Sequence, residues 1–152
     1  MVKDRIIKSY YKFNREINFN IIPEMTINFN LTSKQVGTVV NDQVMKGVYQ
    51  IQQIHQHPMF SEFMDKLENN FNKDNLKADL DIFCSFSPGI GGNVHRDTYD
   101  VCLLNVHGEV CYRVNDEIIY LKNGDLLRIF AGKPHQSIGI TPRITLSYGY
   151  GF

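Results

Sequence analysis

The chain has 152 residues, 43% hydrophobic and 21% charged, with 16 Lys and Arg balanced by 16 Asp and Glu for a formal net charge of zero. That size supports one domain around one core, and the balanced charge provides no electrostatic pull toward nucleic acid or an acidic membrane. No apolar run approaches the ~20 residues that would cross a bilayer.

In chain order, the N-terminus Met1-Val-Lys-Asp-Arg5 carries an acidic residue and is followed by no apolar stretch of signal length. Cys84, Cys102 and Cys111 are odd in number and lack metal-site spacing, so they read as reduced thiols, and the expected location is the cytoplasm. Residues 10–20 (YYKFNREINFN) and 25–31 (MTINFNL) alternate roughly, with aromatic and β-branched residues, and predict strands. The stretch from 33 to 46 reads as a short helix or a turn, with Ser33 as its N-cap. Phe60, Phe63, Met64, Leu67 and Phe71 recur at helical spacing after Pro58, which predicts an amphipathic helix over 59–71.

From residue 78 the pattern changes to short strands, predicted at 79–86, 99–106, 109–114, 117–121, 125–130 and 143–150. The turn residues between them are Pro88-Gly89, His107-Gly108, Asn115-Asp116, Asn123-Gly124 and Gly132-Lys133-Pro134. Regular short strands with tight turns predict a sandwich or barrel. The chain is therefore expected to be one mainly β domain: residues 1–77 supply N-terminal strands and a helix packed on a barrel, and residues 78–152 supply the barrel core.

Two fragments carry chemistry. The first is Gly89-Ile-Gly-Gly-Asn-Val-His95-Arg96-Asp97, followed by Gly108; the second is Gly124-Asp-Leu-Leu-Arg-Ile-Phe130-Ala-Gly132-Lys-Pro-His135. On an extended chain, His95 and Asp97 at i and i+2 point to one side. With a distant His135 they make a 2-His-1-carboxylate set, whose open positions suit Fe(II), although Zn or Mn fits the same donors.

The two fragments resemble the paired motifs of the cupin superfamily. Phe130 stands where that family has Pro, Asp97 stands where many cupins have a second His, and the later Glu ligand is missing. His-x-Asp with a distal His looks like the Fe(II)/2-oxoglutarate-dependent dioxygenases. Within these, His95-Arg-Asp97-Thr-Tyr-Asp100-Val and Gly124-Asp-Leu-Leu…Gly132-Lys-Pro-His135 are similar to the JmjC and ribosomal-oxygenase-like branch over residues 86–150. The resemblance implies a double-stranded β-helix (jelly roll) with one or two N-terminal helices, His95, Asp97 and His135 as catalytic Fe(II) ligands, and 2-oxoglutarate as cosubstrate.

That branch anchors the cosubstrate's far carboxylate with a basic residue at the position occupied here by Val110. Arg143, eight residues after His135 as in prolyl-hydroxylase-type relatives, is the implied replacement. Thr145 and Tyr112 are its assistants. Asp100, part of the same signature, is expected to make a hydrogen bond that either supports a metal ligand or is structural, rather than to bind the metal itself, and Tyr99, Val101 and Leu103 to form the pocket wall. His55, His57 and His107 are expected to be solvated surface histidines.

The alternatives are another metal-dependent cupin enzyme (a thiol dioxygenase or a lyase), a non-catalytic small-ligand-binding cupin, and a structural barrel. The expected partner is a small-molecule or peptide substrate, with no nucleic acid and no membrane, and a homodimer as the assembly.

Overall fold

The computed structural model describes residues 5–40, 45–90 and 93–152. Its elements are β1 (Ile6–Ile7), α1 (Ile21–Pro23, continued by a π-helical turn Glu24–Asn28), β2 (Ser33–Val40), β3 (Met45–Ile51), α2 (Ser61–Phe71), β4 (Ala78–Ser85), β5 (Gly89–Ile90), β6 (Asp100–His107), β7 (Val110–Val114), β8 (Glu117–Leu121), β9 (Leu126–Ile129), β10 (His135–Gly139) and β11 (Arg143–Tyr150). Among the described residues they form a seven-stranded sheet, β1-β9-β6-β11-β4-β3-β2, and a four-stranded sheet, β5-β10-β7-β8. Every pairing is antiparallel. The two sheets face each other as a jelly roll.

Period-two alternation divides the large sheet into two faces. Leu80, Ile82 and Cys84 of β4, Cys102 and Leu104 of β6, and Ile144, Leu146 and Tyr148 of β11 point outward and are buried against α2 and the N-terminal segment. Val101, Leu103, Leu127 and Ile129 point the other way and meet Val110, Tyr112, Val114, Ile119 and Leu121 of the small sheet. The second cluster is the inside of the barrel. All three cysteines are free and buried.

The helix forms as its periodicity predicts. Phe60, Phe63 and Leu67 are fully buried on its inner side, and His57 Nδ1 accepts the Met59 N–H at 3.1 Å where the chain enters it. Residues 10–20 do not make the expected strand. Their aromatics are used for packing: Tyr11 and Phe13 lie 4.8 and 5.4 Å from the Phe63 ring, centroid to centroid. The backbone of this segment bonds a loop, Tyr10 N–H donating to Gly124 O at 2.7 Å.

The strand expected at 25–31 is the π-helical turn, with Met25 buried. The helix or turn expected from 33 to 46 is instead β2 and β3, so Ser33 starts a strand rather than capping a helix; residues 41–44 of that reading lie outside the described set. Val36, Thr38, Val39 and Val40 explain the outcome, since β-branched residues fit a pleated ladder better than a helix. The N-terminal half therefore extends the large sheet through the β3–β4 pairing as well as packing on it.

One turn shows why its residue is glycine. Gly108 has φ +72°, and a Cβ there would lie 2.0 Å from the Pro142 carbonyl oxygen. It lets β6 reverse into β7 beneath that carbonyl.

Candidate metal centre

His95 and Asp97 stand on the segment that leads into β6, and His135 is the first residue of β10. His95 and His135 face each other as an isolated antiparallel bridge, exchanging backbone N–H···O bonds of 3.0 and 2.9 Å. Donor atoms of the three side chains all lie within 4.8 Å of one another. Asp97 Oδ2 is 3.3 Å from His135 Nε2 and 4.0 Å from His95 Nε2.

The other ring nitrogens fix what those Nε2 atoms can do. His135 Nδ1 lies 2.9 Å from the Lys133 carbonyl, and His95 Nδ1 lies 3.2 Å from the Asn93 carbonyl. A carbonyl only accepts, so each Nδ1 carries the proton and each neutral ring has a free Nε2 lone pair. Two such lone pairs and one carboxylate oxygen converging on one point are a donor set for a divalent cation. The residues fit the implied metal.

Without a cation, His135 and Asp97 perturb each other. The His135 hydrogen bond holds the Asp97 carboxyl below its ordinary value, against the opposing effect of burial. Burial pushes His135 down, but the Asp97 hydrogen bond, the Lys133 carbonyl and the Asp97 charge outweigh it, and its pKa is raised.

The three residues open into a cavity of about 580 Å³ between the sheets. Tyr99, Val101 and Leu103 line it, as alternation along β6 predicts. The register orders its floor. Along β11, Arg143 pairs with Ser85, Thr145 with Phe83, Ser147 with Asp81 and Gly149 with Asp79. Arg143 is therefore six residues, or about 20 Å of strand, from the end where Gly149 leaves room for the Tyr99 ring; a Cβ there would be 2.9 Å from Tyr99 Cε2.

Arg143 is only 2% exposed. Its Nη1 donates to Thr145 Oγ1 at 2.9 Å and its Nη2 to Ser137 Oγ at 3.1 Å, while its Nε has no partner. Among the described residues no carboxylate pairs with it. Thr145 is also buried and donates on to Asn105 Oδ1 at 3.3 Å, so it braces the guanidinium from behind. Tyr112 lies opposite Ser137 in the β7–β10 ladder and lines the cavity with Arg143. Val110 is buried opposite Gly139.

Three contributors were not found from sequence. Ser137 sits on β10, a strand whose sequence HQSIG has no apolar alternation. Asn105 is fully buried and joins Thr145 to the Gly108 carbonyl, to which its Nδ2 donates at 2.7 Å. Its signal was a polar residue at an inward position of β6. The third is the wall from β3 and β4, where Gln50, Gln52, Asp79 and Asp81 line the cavity. Gln50 lies on β3 beyond the helix or turn expected at 33–46, and Gln52 in the connection after it; Asp79 and Asp81 lie on the strand expected at 79–86, where no role was assigned to them.

The remaining histidines are not the solvated groups expected. His57 Nε2 pairs with Glu24 Oε1 at 2.9 Å, the His55 Nδ1 is buried, and His107 ends β6 with its ring 5.2 Å from that of Phe19. All three are half-buried. No helix among the described residues is long and apolar enough to cross a membrane.

No protein-family profile and no curated protein matches the sequence. Solved structures do match. The ribosomal oxygenase YcfD from Escherichia coli aligns with TM-score 0.76 and 20% identity over 97% of this chain and 47% of its own. YcfD in complex with cobalt and 2-oxoglutarate aligns with TM-score 0.75 at 20% identity, and its complex with cobalt and succinic acid with TM-score 0.76 at 19%, both over the same shares of each chain. The chain spans about half the length of these structures. Its fold is the cupin-type double-stranded β-helix that the motifs imply.

Proposed function

We propose that the protein is an Fe(II)- and 2-oxoglutarate-dependent oxygenase acting in the cytoplasm on a small molecule or peptide. The observation that carries this reading is one cavity holding both the His95–Asp97–His135 set and a buried Arg143 guanidinium with no carboxylate of its own. A buried cation served by two hydroxyls is short of compensating charge. A dicarboxylate cosubstrate would provide that charge, and the planar fork of Arg binds a carboxylate through two bonds. The YcfD complex with cobalt and 2-oxoglutarate supports the same pairing of metal and cosubstrate on this fold.

His95 Nε2, His135 Nε2 and Asp97 Oδ2 would hold the metal. When bound, Fe(II) with 2-oxoglutarate would supply the O₂ activation that oxidises the substrate, chemistry that belongs to the cofactor rather than the chain. Arg143 would hold the far carboxylate, with Ser137 and Thr145 fixing the angle of the fork and Tyr112 beside it. Val101 and Leu103 line the cavity with apolar surface, which would strengthen charge interactions beside it once substrate displaces water. The β3–β4 wall with Gln50, Gln52, Asp79 and Asp81 would receive the substrate.

Anaerobic titration of the Fe(II)-loaded protein with 2-oxoglutarate tests this directly. A metal-to-ligand charge-transfer band in visible absorption is expected for the wild type and is expected to vanish in Arg143→Ala while iron stays bound. Iron binding with no band in the wild type would replace this reading with that of a different metal-dependent cupin enzyme.

A further inference from the structure

Of the three ligand side chains only His135 stands in a paired strand, at the first position of β10, and His95 and Asp97 precede β6. The three stand on two segments, residues 93–99 and 130–135, so the geometry of the set depends on what fastens one segment to the other. Part of the fastening is local to the ligands, beginning with the His95–His135 backbone bridge. Gly132 N–H donates to the Asp97 carbonyl at 2.8 Å, and Arg96 Nη1 donates to the Gly132 carbonyl at 2.7 Å.

The other fastening comes from a carboxylate that faces away from the cavity. Asp100 opens β6 on the parity of Cys102 and Leu104, the outward face. Its Oδ1 accepts the Ala131 N–H at 2.9 Å, which ties the start of the ligand segment to the turn before His135. Its Oδ2 accepts from Arg128 Nη2 at 2.9 Å and from the Tyr150 hydroxyl at 3.2 Å. Arg128 Nη2 also donates to the Tyr150 hydroxyl at 2.7 Å, and the guanidinium lies 4.6 Å over the Phe130 ring. Asp100 therefore collects β9, β11 and the 130–133 turn on one side chain.

That turn sets the ligand. Lys133 N–H donates to the Phe130 carbonyl at 3.2 Å, and the Lys133 carbonyl accepts the hydrogen bond from His135 Nδ1. If the turn moves, the acceptor that fixes the His135 tautomer and ring angle moves with it.

We propose that Asp100, held by Arg128 and Tyr150, is a positioning residue for the metal centre. It clamps the 130–133 turn so that His135 presents Nε2 to the point where His95 Nε2 and Asp97 Oδ2 converge. The inference rests on the reading of those three residues as a metal site.

The test is Co(II) titration of the full chain, followed by visible d–d absorption and set beside thermal unfolding of the metal-free protein. Asp100→Asn keeps an oxygen for Ala131 but turns an NH₂ toward Arg128. It is expected to lose roughly 10- to 100-fold in Co(II) affinity, with an altered d–d spectrum. Leu67→Ala, on α2 away from the site, serves as the control for stability alone and is expected to lower the melting temperature while leaving Co(II) affinity and spectrum as in the wild type.

Wild-type affinity and spectrum in Asp100→Asn would overturn the proposal, as would an equal loss of affinity in Leu67→Ala. If Asp100→Asn does not fold, Tyr150→Phe carries the test, with a several-fold loss expected and unchanged binding overturning the idea. A wild-type protein that binds no Co(II) would instead overturn the metal site itself, and the inference with it.

Discussion

A guanidinium at 2% exposure, surrounded by hydroxyls, costs the fold something that its partners do not return in full. Replacing a buried ion pair with apolar side chains of similar volume is often neutral or stabilising, by about 1–4 kcal/mol, and a buried charge without a counter-charge has less attraction to lose. Arg143→Met is therefore expected to match or exceed the wild type in denaturant unfolding while losing the 2-oxoglutarate binding proposed for it. A loss of more than about 2 kcal/mol would mean that the hydroxyls compensate the charge already.

At the same scale, the His135–Asp97 pair sets a pH dependence. Asp97 is held below its ordinary 3.8, so its stabilising contribution is present above that value and is lost as pH falls through the lowered pKa. His135 is raised above 6.5, so its contribution is present below 6.5 and is lost as pH rises through the raised pKa. A cation competes with the proton for His135 Nε2. Calorimetric Zn(II) titrations are expected to show weaker binding at pH 6 than at pH 8, and equal affinities would remove His135 from the ligand set.

At the scale of elements, α2 and the N-terminal segment cover the outer face of the large sheet. Phe63 is 1% exposed and meets Tyr10, Tyr11 and Phe13 edge-on or tilted. Phe63→Ala is expected to cost about 3–5 kcal/mol in chemical denaturation. The N-terminal segment has a second tether. Buried Asp125 accepts from Ser9 N–H, Lys8 Nζ and Lys122 N–H at 3.1–3.2 Å. β4, β6, β7, β8, β9 and β11 were legible because alternation and turn residues agree there. Residues 10–20 were not, because their alternating aromatics pack against a helix instead of pairing with a strand. β10 was missed because HQSIG is held by its ladder with β7 rather than by any preference of its own.

For the molecule as a whole, a site built from two segments links metal binding to folding. A cation that binds only the folded chain stabilises it by about 2.7 kcal/mol at a hundredfold excess over Kd. Thermal scans with Co(II) or Zn(II) are expected to show a rise of several degrees in the wild type and none in His135→Ala. A shift retained in His135→Ala would place the cation elsewhere.

Sequence alone determined the jelly roll and the donor types of the candidate metal centre. His-x-Asp before a strand and a Gly-x₂-His turn are local patterns, and period-two alternation assigns Tyr99, Val101 and Leu103 to the interior without any knowledge of the partner strands. Only the tertiary structure decided the rest. The β-branched residues of β2 suit a ladder, but that there was one to join depended on β3, which pairs with β4. Whether Arg143 was a surface residue or a buried cation depended on Ser137, Thr145 and Asn105, which arrive from three different strands. Burial, charge compensation and ring orientation belong to groups distant in sequence, and a linear pattern carries no record of which groups the fold brings together.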